Sequence, residues 1–294
     1  MTNPLESVVQ KEMSRRGFLK LAAGTVMGAA LLSLPDISKA GAAAKAGRSI
    51  KPTAFSAIPQ DAIASAEASP LIASCWKQIL DYAGTITDAS LRSSVLSLLK
   101  QPTPTFMQRY ASESARQALY GQLVQRGLVD PAKTDAAHIL PPYNGKVQAF
   151  RTAPGSGYGS HHPYPGGLAT HVNANLHITD YICRTYQEVF LYDVNRDIAI
   201  AAQALHDIAK PFVFQWQKDG SSLKEYTIAG QGAHHVISLA EVIYRGFPAE
   251  EVVAQACAHG APTSKKDEAD VVSWLTAAAI MAGKDPVAYG LLNA

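Results

Sequence analysis

Beyond residue 60, apolar positions recur along most of the chain with the spacing of a helix. Leu71, Ile72, Trp76, Ile79, Leu80 and Ala83 share one face and predict a helix over 70–84. Leu91, Val95, Leu98 and Leu99 predict a second over 88–100, opened by Thr87-Asp88 and closed by Gln101-Pro102-Thr103-Pro104. A third, over 105–126, carries Met107, Tyr110, Leu119, Leu123 and Val124 and stops at Gly127. From Leu128 to Tyr164 the period dissolves into a Pro- and Gly-rich stretch, a length of loop that commonly drapes over a site. Helical spacing then returns at 167–187, 195–210, 231–245, 249–259 and 267–282, with Asn195, Pro248 and Ser264 as starts and Gly246 and Gly260 as stops. Only Pro211–Ala229 has extended character. There Phe214, Trp216, Leu223, Tyr226 and Ile228 flank Lys218-Asp219-Gly220-Ser221, and Asp-Gly favours a tight hairpin turn.

The pattern is that of an all-α protein with one small β-hairpin, and composition agrees. Apolar residues make up 47 % and charged residues 17 %, which excludes a disordered or coiled-coil chain. With 26 basic against 24 acidic side chains the net charge is +2, so neither nucleic acid nor a membrane is an expected partner. Cys75, Cys183 and Cys257 show no CxxC spacing and read as free thiols. The first forty-odd residues stand apart. Ser14-Arg15-Arg16-Gly17-Phe18-Leu19-Lys20, the mildly apolar run Leu21–Leu34 and small-x-small sites up to Ala44-Lys45-Ala46 resemble a twin-arginine signal peptide. That resemblance implies a bacterial periplasmic destination, reached in folded form through the twin-arginine export machinery. Residues 1–46 are therefore set aside from the fold. Residues 47–140 are expected to form an N-terminal helical region with a linker, and 141–294 the domain that carries the chemistry.

Eight of the nine histidines lie between His161 and His259. One histidine on a helix is most often structural; several on successive helices, with a His-Asp pair among them, point to a metal centre. Imidazole and carboxylate donors together suit Mn, Fe, Co, Ni or Zn, as one ion or two.

The phrases that hold these histidines resemble the HD superfamily of metal-dependent phosphohydrolases, in particular its oligonucleotide-hydrolysing branch. They are His161-His162-Pro163-Tyr164-Pro165-Gly166-Gly167-Leu168-Ala169-Thr170-His171, Leu205-His206-Asp207-Ile208-Ala209-Lys210, the segment from Lys224 to His234-His235, and Ala258-His259-Gly260. The resemblance implies an HD-domain helical bundle that hydrolyses a small phosphorylated substrate. It implies His171, His206 and Asp207 as metal ligands, with Asp207 bridging, and His235 and His259 at a second ion. By the family's spacing His235 is preferred to His234. Lys210 would meet a phosphate oxygen or hold Asp207, and His161 and His162 would orient a phosphate or support the ligands from the mouth of the site. His177 and His138 are expected to lie elsewhere.

In two places the chain departs from the family's pattern. Ala258 stands where the family often has a further histidine, and Thr276 stands near the position of its closing metal-binding aspartate. Asp267 and Asp270 fall too early to replace that acid and read as charges at a helix start. The missing acid keeps two alternatives open: a di-iron oxygenase of the same superfamily, and a non-catalytic scaffold with a degenerate metal site.

Overall fold

The structure, a computed structural model, describes residues 53–157 and 160–293. Ser56–Ala294 form one compact unit. The twin-arginine segment lies outside the described residues. The fold is all-α with one two-stranded hairpin.

In chain order the helices are α1 (Ala62–Glu67), α2 (Pro70–Gly84), α3 (Ala89–Lys100), α4 (Glu113–Gln125), α5 (Gly167–Phe190), α6 (Arg196–Leu205), the single turn α7 (Lys210–Val213), α8 (Ala233–Tyr244), α9 (Ala249–Ala256) and α10 (Lys265–Ala282). The hairpin pairs β1 (Thr227–Ile228) with β2 (Gln231–Gly232). Side-chain caps start most of the longer helices: Ser69, Asp88, Ser112, Asn195 and Ser264 each accept from a backbone N–H of the first turn. The nearly all-apolar α8 is buried along almost its whole length and packs against α10, while α6 packs against α5 and α9.

Polar ties run between early and late parts of the chain. Buried Glu241 of α8 accepts from the backbone N–H groups of Thr105 (2.7 Å) and Phe106 (3.1 Å). Asp197 of α6 accepts from those of Thr87 and Asp88, ahead of α3. The helices before residue 140 and those after it share one hydrophobic core.

Three elements differ from the sequence expectation. Residues 105–126 form a 3-10 turn, Thr105–Tyr110, and then α4, because Ser112 caps a new start. The helix expected over 195–210 ends at Leu205, and residues 206–209 turn before α7. Pro211 accounts for the break: it lacks an N–H and would clash with the carbonyl one turn back, yet it fits the first turn of a new helix. The hairpin turn is not at Asp219-Gly220, where only an isolated Trp216–Ser222 bridge forms, but at Ala229-Gly230. Both turn residues have positive φ, 51° and 74°, as a tight turn of this hand requires. The non-glycine Ala229 is held there from both sides: its N–H donates to Leu128 O (2.6 Å), and its carbonyl accepts from Trp274 Nε1 (3.1 Å).

Candidate metal centre

The break after Leu205 places His206 and Asp207 in a turn at the middle of the molecule, where both are almost fully buried. The turn is pinned from below by Ser238 of α8, whose Oγ accepts from Ala209 N (3.0 Å). His171 enters from the first turns of α5. Its Nε2 lies 3.3 Å from His206 Nε2 and 3.2 Å from Asp207 Oδ2, and His206 Nε2 is 3.1 Å from the same oxygen. For ligands about 2.0–2.1 Å from a tetrahedral ion, neighbouring donors stand about 3.3 Å apart. The three atoms therefore mark out one face of such a shell. His206 Nδ1 lies 2.8 Å from the backbone carbonyl of Gln203 and 3.0 Å from the Gln203 side-chain amide nitrogen; the carbonyl contact requires the proton on Nδ1, the tautomer that leaves Nε2 a lone pair for an ion.

On the other side of the carboxylate, His234 Nε2 is 3.4 Å and His259 Nε2 3.6 Å from Asp207 Oδ1. Neither oxygen of Asp207 has an aligned hydrogen-bond donor, although both are buried. A buried carboxylate that meets one ammonium, that of Lys210, at Oδ2 and is otherwise ringed by imidazole nitrogens is a donor set arranged for cations. Burial alone would raise the Asp207 pKa; His206 and Lys210 outweigh it and hold the group well below the usual carboxylate range. Among the described residues three sets bring ligand atoms together, namely His171–His206–Asp207, Asp207–His234–His259 and His161–His162–His171.

One expectation is reversed. His234, not its neighbour, faces Asp207. His235 is fully buried behind His259, with the two Nδ1 atoms 3.0 Å apart, and lies edge-on to Trp274 at 4.9 Å. Burial, His259 and His234 lower its pKa to about 3, so it is a neutral support for His259. Consecutive helical residues point about 100° apart, and Glu225 selects between these two. Its Oε1 accepts from His234 N (2.9 Å) and pairs with His234 Nδ1 (2.6 Å), turning Nε2 toward Asp207. Glu225 stood out in no sequence pattern, being one acid in a polar stretch. Its one signal is Gly232, where a Cβ would come within 2.8 Å of the carboxylate.

Lys210 is buried, with its ammonium 2.6 Å from Asp207 Oδ2 and bonded to the Gly155 carbonyl. Of its two expected roles, holding Asp207 is the one the geometry carries. On α10, Thr276 donates its hydroxyl back to Val272 O, Asp267 accepts from Thr263 N, and Asp270 pairs with Lys266. Asp207 is thus the sole carboxylate in the ligand sets found among the described residues. His177 bonds Tyr82 and Gln78, and His138 pairs with Asp135, both apart from the centre.

Over 100 residues the chain is 35 % identical to the dihydroneopterin 2',3'-cyclic phosphate phosphodiesterase of Methanocaldococcus jannaschii. The match takes in 34 % of this chain and 39 % of that phosphodiesterase, so the chain spans about two fifths of the relative's length. No family model and no solved structure matches. The kinship with a phosphodiesterase gives the space beside the centre its interest. A cleft of about 640 Å³ opens there, lined by Lys210, His234, His259 and His161 together with Trp216, Lys224 and Glu225 from the stretch after α7. That volume is in the range of small-molecule sites.

Proposed function

We propose that this chain is a metal-dependent phosphodiesterase of the HD type, acting on a small phosphodiester. The observation that carries this reading is Asp207: a buried carboxylate, paired with the Lys210 ammonium, that has His171 and His206 at one oxygen and His234 and His259 at the other. The partial relationship to a phosphodiesterase supports the same reaction class.

His171, His206 and Asp207 would hold one ion, and Asp207, His234 and His259 a second. Divalent transition ions in these positions supply Lewis acidity toward a phosphoryl oxygen and acidify water to near neutrality. The remaining residues keep the donors aimed. Lys210 fixes Oδ2 of Asp207, the Gln203 carbonyl sets the His206 tautomer, Glu225 sets that of His234, and His235 steadies His259. In the cleft, Trp216 offers an aromatic surface to a ring on the substrate and Lys224 a positive charge to its phosphate.

The test is hydrolysis of bis(p-nitrophenyl) phosphate and of a 2',3'-cyclic nucleotide by the purified chain. Wild type should turn over at least one of them, and Asp207→Asn, close to isosteric, should fall to background while keeping its circular dichroism. Equal turnover by the two proteins would remove Asp207 from the reaction.

A further inference from the structure

Helix α5 carries a second apolar face. Leu176, Asp180 and Cys183, on one side of it, are buried. On the opposite side Ile178, Ile182 and Val189 fall within about 40° of one another around the helix axis and face solvent, with Tyr181 and Tyr186 exposed on either flank. Phe190, Leu191 and Tyr192 continue the patch past the helix end. Val189 is 66 %, Tyr181 71 % and Leu191 88 % exposed. Eight of the fifteen large apolar side chains exposed among the described residues thus lie between 178 and 192, while the others are scattered. Single exposed apolar residues are ordinary; a contiguous patch of this size marks an interaction surface.

The patch is held in shape. Tyr186 meets Phe190 and Tyr192 edge to face, with ring centroids 5.3 Å and 6.4 Å away. Leu191 sits at φ 54°, in the left-handed region that a leucine rarely adopts, and the bend lets Tyr192 N donate to Tyr186 O (3.1 Å), which returns Tyr192 to the stripe. Positions four apart form ridges along a helix: Ile178, Ile182, Tyr186 and Phe190 make one, and Tyr181, Thr185 and Val189 the next, with a groove between them. Arg184 and Glu188, both exposed, lie along one margin and leave the ridges uncharged.

We propose that the chain is a two-fold homodimer joined through this face of α5, from Ile178 to Tyr192. Area and charge both point to a second copy. The eight side chains offer on the order of 1,000 Å² of surface, against the roughly 800 Å² that each partner buries in a standard interface. When two α5 helices run antiparallel about a two-fold axis near Thr185, like margins meet. Arg184 of each copy then stands beside Glu188 of the other, and Ile182 packs on Val189 with ridge in groove. A lipid surface fits less well: the charges beside the patch, Arg184, Glu188 and Asp193, are mixed in sign and give no basic flank to draw an apolar helix to a membrane. The inference does not depend on the metal-centre reading, since His171 lies at the other end of α5.

The experiment is sedimentation velocity on the full-length chain over a wide range of concentration. Wild type should sediment as a dimer, at twice the 31.3 kDa of one chain. Val189→Glu, a change at an exposed position, should raise the dimer dissociation constant about 30-fold or more while leaving circular dichroism unchanged. Thr185→Cys, beside the axis, should cross-link two chains on mild oxidation, which needs the two Cβ atoms about 4 Å apart. Ser93→Cys, exposed on α3, should not. Flotation with phosphatidylcholine–phosphatidylglycerol vesicles tests the lipid alternative. A monomeric wild type, whether or not it floats with the vesicles, would overturn the proposal. So would a dimer that Val189→Glu leaves equally tight, and failure of Thr185→Cys to cross-link would overturn the antiparallel pairing.

Discussion

At the scale of single residues, the proposed metal centre would depend on side chains that do not themselves touch an ion. An imidazole is a good ligand only when its other nitrogen is held. Glu225 does this for His234 at 2.6 Å, and the Gln203 carbonyl does it for His206 at 2.8 Å. Loss of such a partner lowers metal affinity by about 10- to 100-fold in comparable sites. Glu225→Ala should therefore weaken the Asp207–His234–His259 position by that factor, and Glu225→Gln, which keeps an accepting oxygen, by less. Isothermal titration with Zn²⁺ reads both, and equal affinity in wild type and Glu225→Ala would show that His234 needs no support. His171, His206, Asp207 and His259 were legible from their phrases in the chain, and the structure brings all four together. The choice between His234 and His235 was not, because Glu225 and Trp274 make it, and both are distant from the pair in sequence or unmarked by any pattern.

At the scale of elements, most helices follow directly from apolar period and caps, and the misplacements have local causes. Asp219-Gly220 carries the stronger turn signal, yet tertiary hydrogen bonds to Leu128 and Trp274 give the paired strands to Ala229-Gly230. Helix α1 has no apolar period to announce it, because six residues are too few to display one, although Asp61 caps it. The loop before α5 is fixed by close approach of backbone to backbone, so glycines of equal composition are not equal in role. Gly167→Ala would drive a Cβ into His162 O and should cost about 1–3 kcal/mol or more. Gly121, inside α4 with nothing within 4 Å of its absent Cβ, is the contrast. Gly121→Ala should stabilise by roughly 0.5–1 kcal/mol. Urea unfolding of the two variants checks both signs, and a Gly167→Ala protein as stable as wild type would mean the loop is free to move.

At the scale of the whole molecule, two buried titratable groups shape stability in opposite directions. Glu251 is fully buried on α9 with neither carboxylate oxygen bonded, and burial pushes its pKa up to about 8. The folded state thus keeps a proton that the unfolded chain releases near its model value of 4.5, so stability is lost as pH rises from about 4.5 to 8. His235, lowered to about 3, acts the other way: its contribution is complete above about 6.5 and is lost as pH falls toward 3. Glu251→Gln should leave the melting temperature at pH 4 nearly unchanged and raise it at pH 8, by an amount on the order of a few kcal/mol in stability. A variant that tracks wild type across that range would show that Glu251 is ionised and solvated in the fold.

The whole fold converges on one carboxylate set among imidazoles, and the most direct measurement is metal content taken together with phosphodiester turnover. The full-length chain, purified without chelator, is analysed by inductively coupled plasma mass spectrometry and assayed on a 2',3'-cyclic nucleotide. It is then stripped with dipicolinate and assayed again with and without added divalent ions. The expected result is one or two equivalents of a divalent transition metal, with hydrolysis lost on stripping and restored by the metal. Hydrolysis that survives complete stripping, or a protein that neither holds nor responds to any divalent ion, would contradict the account.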